Sequence, residues 1–125
     1  MKHLPVGCAT VRLGHAQEIA EKSGVGIHLD LESLPFLEGA KGYAEDWIFA
    51  AGTGRNQKRY VSHVRFAPGI SEQMQMLLYT PETSGGLLIA VPATKLGELT
   101  ALFDQEEQSY WVIGYVVEGE GIEVS

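Results

Sequence analysis

Cysteine is nearly absent: Cys8 is the only one among 125 residues, so no disulfide can form within the chain. Basic residues are also few. Nine Lys and Arg stand against sixteen Asp and Glu, a formal net charge of −7. A surface of that sign argues against nucleic acid or an anionic membrane as the main partner. It leaves room for a small anion, because a local nest of backbone N–H groups can oppose the global field. No apolar run approaches the ~20 residues of a membrane span. Lys2 and His3 are not followed by the apolar core of a signal peptide. These absences together predict a reducing, cytoplasmic setting. The histidines (His3, His15, His28 and His63) are scattered, with no pair at the close spacing of a metal motif, so no metal site is expected.

What remains has an ordinary globular balance, 45% apolar and 20% charged. The length suits one domain spanning residues 1–125. A domain of this size buries roughly two-thirds of its unfolded surface. Leu13, Ala16, Ile19 and Ala20 recur at helical spacing and predict a helix over 12–23, with Gly24 just past its end. Residues 25–31 alternate apolar and polar as a half-buried strand does, with His28 and Asp30 on the polar face. Ser33 is placed to cap a second helix reaching Trp47, with Pro35 in its first turn. A glycine loop at 50–56 precedes a strand over 59–66, and Ser71 caps a short helix bearing Met74, Leu77 and Leu78. Residues 87–91 and 110–117 are apolar on both faces, as interior strands are. Between them Thr94 is placed to cap a helix, and 119–124 form a turn and a last strand. Helices alternating with buried strands imply an α+β domain, a mixed β-sheet packed with helices.

Two glycine-rich stretches invite a chemical reading. "TSGG" (Thr83, Ser84, Gly85, Gly86) runs directly into the apolar strand. It is not a P-loop, since it has no Lys and a strand follows it. Either it is a tight turn, or its bare N–H groups meet an anion. "GTGRN" combines N–H groups at Gly52 with the Thr53 hydroxyl, the forked donor of Arg55 and the Asn56 amide, a set suited to phosphate. Its bland reading is a helix-to-strand loop. Cys8 lacks an identifiable His–Asp partner, His15 sits inside a helix, and His63 falls on the polar face of its strand. No catalytic residue is assigned.

In order and spacing, "LGHAQEIAEKSGVGIHLDLESLPFLEGA", "GTGRN", "TPETSGGLLIAVP" and "WVIGYVVEGEGIEV" resemble the C-terminal domain of selenophosphate synthetase (selenide, water dikinase). The likeness covers nearly the whole chain from Leu13. That domain belongs to a group resembling aminoimidazole ribonucleotide synthetase, which includes thiamine-monophosphate kinase and a hydrogenase-maturation protein. The resemblance implies a mixed sheet with helices, partly ferredoxin-like. It also implies a reaction that passes the γ-phosphoryl of ATP to selenide, with AMP and phosphate as the other products and magnesium as the ion. By the same likeness Gly52, Thr53, Arg55, Asn56, Thr83, Ser84, Gly85 and Gly86 face phosphate, nucleotide or a missing half of the enzyme.

The sequence departs from the family pattern in two places. Where the family usually reads "DVTGFGLLGH" this chain reads "VGCATVRLGH", with Val6 in the place of the Asp. Ala51 replaces a glycine ahead of Gly52. The family's N-terminal half, which carries the catalytic Cys or selenocysteine, a Lys and the magnesium-holding aspartates, has no counterpart here. The expectation is a domain inactive alone and without its own cofactor, paired as a homodimer or with a separate N-terminal ATP-binding chain. The alternatives are a non-catalytic phosphate- or partner-binding module and a subunit completing a split synthetase.

Overall fold

Leu13, Ala16, Gln17 and Ala20 are buried on one stripe of helix α1 (Leu13–Ser23), the i, i+3, i+4, i+7 pattern that an amphipathic helix needs. The stripe packs on strands β2 (Gly26–Leu29) and β7 (Gly121–Val124), where Ile27, Leu29, Ile122 and Val124 are sealed from solvent. The computed structural model describes the backbone of residues 2–7 and the whole of residues 13–82 and 86–125.

One seven-stranded sheet carries the fold. It adds β1 (Lys2–Gly7), β3 (Val64–Phe66), β4 (Leu87–Leu88), β5 (Val91–Pro92) and β6 (Trp111–Val117) to the two strands above, in the order β3-β7-β2-β6-β1-β4, with β5 also on β1. β2 runs parallel to β7, as β3 does, while β6 is antiparallel to both β2 and β1. The fold is therefore α+β with a mixed sheet, as the sequence predicts. β6 is the inner strand expected: Ile113 is fully buried. A Cβ on Gly114 would run into the His28 carbonyl, so glycine permits the close approach of β2.

Several expected elements take another form. The helix predicted from Ser33 to Trp47 is only α2 (Ala40–Glu45). Ser33 does not cap it. Its hydroxyl donates to the Asp30 carboxylate, and Asp30 also accepts from the Glu32 N–H, closing a 3-10 turn at Leu31–Ser33. Leu34, preceding Pro35, is then extended, as a residue before proline tends to be. The strand predicted over 59–66 is mostly helical. α3 (Thr53–Tyr60) runs into a 3-10 turn at Val61–His63, so His63 precedes the strand rather than lying on its polar face, and only three residues pair as β3. Residues 87–91 are not an interior strand. They form two short pieces against β1, with Leu87 70% exposed.

Helix α5 (Ala93–Gln105) starts ahead of Thr94, with Pro92 at its cap. Ser71 does cap α4 (Glu72–Leu78), accepting from the Met74 N–H at 3.3 Å. Strand β1 was not foreseen in "KHLPVG", which shows no alternation. It pairs along β6 with a register shift between His3 and Pro5, where proline offers no N–H to the ladder.

Candidate functional site

"GTGRN" is a helix start rather than a loop. Gly52 caps α3 with φ of 98°, a left-handed conformation in which a side chain is strained, and it takes the first helical bond by accepting from the Asn56 N–H at 3.0 Å. Thr53 turns inward and is 2% exposed. Its hydroxyl donates to the Ala50 carbonyl at 2.8 Å and so is committed to the fold. Asn56 reaches across to α4, where its Nδ2 donates to the Tyr79 carbonyl at 2.9 Å. Tyr79 is the C-cap of α4, so the bond satisfies one of the carbonyls that every helix end leaves open. Arg55 is exposed.

The first glycine stretch therefore meets the Tyr79–Pro81 bend that leads toward the second, through Asn56 and Tyr79 and again through Gly52. The position of a Cβ on Gly52 lies 3.5 Å from both Arg55 Nη2 and Pro81 Cγ. From α4 the chain turns at Thr80, whose hydroxyl donates back to the Leu77 carbonyl at 2.7 Å, and continues through Pro81 and Glu82. Thr83, Ser84 and Gly85 lie outside the described residues. Gly86 is described and has φ of 85°. The start of α1 closes the same corner. Leu13, Gly14, Asn56 and Thr80 line a cavity of about 80 Å³, and a neighbouring one of about 110 Å³ lies between Pro35, Ala50, Leu77 and Glu82.

The charge of α3 adds a signal that single-residue reading missed. Its eight residues, TGRNQKRY, hold three of the nine Lys and Arg side chains and no carboxylate. Arg55, Lys58 and Arg59 are exposed. Among the described residues none of the three forms an ion pair, while Arg59 lies over the Tyr60 ring at 5.3 Å. A compact cationic helix on a chain of −7 is legible in "GRNQKR" once that segment is known to be helical.

Tyr79 is otherwise a core residue, 3% exposed, edge-on to Phe66 with ring centroids 6.1 Å apart. Burial pushes its hydroxyl up to about 12, and among the described residues that hydroxyl has no hydrogen-bond partner. Cys8 lies outside the described residues. A larger cleft, about 640 Å³, is elsewhere, among Gln17, Glu21, Ser62, His63, Arg65 and Glu120. It includes none of the residues expected to face phosphate. Among the described residues no group of three or more His, Cys, Asp or Glu is placed to hold a metal ion. Also among them, no helix is long and apolar enough to cross a membrane.

Known proteins resemble this chain over most of its length. The model of the AIR synthase related protein, C-terminal domain family matches residues 12–125. Selenide, water dikinase of Burkholderia ambifaria is 35% identical over 108 residues, covering 86% of this chain and 30% of that protein. Selenide, water dikinase 2 of Peptoclostridium acidaminophilum is 37% identical over 116 residues, covering 81% and 33%. Among solved structures, thiamine-monophosphate kinase from Stenotrophomonas maltophilia superposes with a TM-score of 0.55 at 17% identity, covering 97% of this chain and 30% of the other. The same kinase from Aquifex aeolicus gives 0.53 at 21%, again covering 97% and 30%. These two likenesses concern the fold. The chain thus spans about a third of the length of the relatives it matches.

Proposed function

Because the chain belongs to the AIR synthase related protein, C-terminal domain family, we propose that it serves ATP-dependent phosphoryl transfer to selenide as a phosphate-facing domain. The observation that carries this reading is the meeting of Gly52–Asn56 with Tyr79–Pro81 beside the cations of α3, which form no ion pair among the described residues. An anion at that corner would find Arg55 and Lys58, both exposed. Thr53 and Asn56 support the corner from within, since their polar groups already have partners. The role of Thr83, Ser84, Gly85 and Gly86 rests on the family resemblance alone.

Magnesium, in the relatives' reaction, would neutralise the polyphosphate charge. The described residues offer it no carboxylate cluster, so no step is derived through it. The chain by itself is expected to release no AMP from ATP and selenide, and an ATP-binding chain supplied in trans completes the reaction. AMP above blank from this chain alone would overturn that. The partner is that chain or a second copy of this one, docked on the apolar surface of Leu37, Tyr43, Trp47 and Ile48. The single cysteine suits a cytoplasmic location.

Thermal melts test the anion reading directly. Phosphate or sulfate should raise the midpoint over chloride at matched ionic strength, by mass action on the folded state. Arg55→Ala with Lys58→Ala should remove the gain. An identical midpoint in all three salts would sink the reading.

A further inference from the structure

Asn56 is expected to face phosphate, and one N–H of its side-chain amide is held by the chain itself. Nδ2 donates to the Tyr79 carbonyl at 2.9 Å across 23 residues of sequence. We propose that Asn56 is a positioning residue: it locks the first turn of α3, which carries Arg55, to the Tyr79–Pro81 bend, and so sets where Arg55 stands. The inference rests on the anion reading of this corner for its functional meaning, but its geometry stands independently.

Three observations carry it. The acceptor is a C-cap carbonyl, which would otherwise lack a helical partner. Asn56 follows Arg55 directly and accepts no freedom of its own, since its N–H is held by Gly52 at 3.0 Å. The guanidinium of Arg55 and the ring of Pro81 flank the same point above Gly52, each at 3.5 Å. Rotating α3 against the bend would separate Arg55 from Pro81, and the bond from Asn56 is the one side-chain hydrogen bond among the described residues that opposes this. The chemistry requires a donor here. Aspartate has the same shape, but when ionised it turns an oxygen toward the carbonyl and repels it. When protonated it regains an O–H that can donate to Tyr79.

Two measurements on the whole chain decide the matter. The first needs no anion: amide hydrogen exchange in Asn56→Ala. Thr80 donates its N–H to Leu77 at 3.2 Å within the bend, and its exchange should quicken about five- to tenfold, the effect of one lost hydrogen bond. Amides of β2 and β6 should keep their protection. Unchanged exchange at Thr80 overturns the proposal, and so does an equal loss throughout the sheet. The second is the midpoint gain in sulfate over chloride, sulfate being chosen because its charge is essentially constant from pH 3.5 to 7.5. Asn56→Ala should reduce the gain at both pH values. Asn56→Asp should lack it at pH 7.5 and approach the parent at pH 3.5, where a carboxyl of ordinary pKa, about 4, is mostly protonated. If Asn56→Asp tracks Asn56→Ala at both pH values, the positioning role falls. If the parent shows no sulfate gain while Thr80 exchange still quickens, the anion reading falls and the lock stands.

Discussion

Tyr60 lies across Gly14: a Cβ added to Gly14 would stand 2.7 Å from Cε2 of the Tyr60 ring. This contact sets how closely α1 and α3 approach. The Tyr60 hydroxyl then donates to Glu18 at 3.3 Å, one turn further along α1. Gly14→Ala must push the ring aside, which typically costs about 1–3 kcal/mol, less the small gain in helix propensity. Net destabilisation is therefore expected in urea unfolding. In a Tyr60→Ala background the same substitution should cost nothing or stabilise slightly. A full penalty in both backgrounds would show that the ring is not the obstacle.

Tyr79 gives a pH prediction with a definite sign. Its folded value, about 12, lies above its ordinary 10 because burial disfavours the phenolate. The folded state therefore holds the proton more tightly than the unfolded one. The stability this contributes is complete below pH 10 and is lost as the pH rises from 10 toward 12. Tyr79→Phe removes the titration together with a buried hydroxyl that has no partner among the described residues. The variant should be as stable as the parent or slightly more so at pH 7, and its advantage should widen above pH 10. A variant that loses more than about 1 kcal/mol at pH 7 would mean the hydroxyl has a partner after all.

Gly86 has φ of 85°. Alanine there is strained, and Gly86→Ala should cost on the order of 1 kcal/mol or more in chemical unfolding. A gain of a few tenths, the usual benefit at a permissive glycine, would contradict the backbone described here.

Leu37, Tyr43, Trp47 and Ile48 fall within twelve residues of sequence, and each is between 51% and 61% exposed. We propose that these exposed apolar side chains form the surface that a second chain covers. Light scattering should give a dimer mass at micromolar concentration, and Leu37→Ser with Ile48→Ser should give a monomer with an unchanged circular dichroism spectrum. A monomer mass for the parent chain would exclude self-association, leaving a different chain as the partner.

Local chemistry was enough to reveal much of this. The stripe of α1, the cap at Ser71, the alternation around Ile27 and Leu29 and the apolar run of β6 each depend on neighbours within a few residues, so they can be read from spacing alone. The ordered motifs were likewise sufficient to indicate the family. Tertiary context decided the rest. "KHLPVG" is a strand because β6 offers it backbone partners, not because of its pattern. Residues 87–91 are apolar yet lie near an edge, since burial belongs to the sheet order and not to the strand's own composition. Ser33 had two possible hydrogen-bond roles, and Asp30, three residues earlier, took its hydroxyl. At the candidate site, "GTGRN" listed the right polar groups without saying which were free. Only the fold committed Thr53 to Ala50 and Asn56 to Tyr79 while leaving Arg55 exposed, because a hydrogen-bonding group's availability depends on what the chain brings within about 3 Å of it.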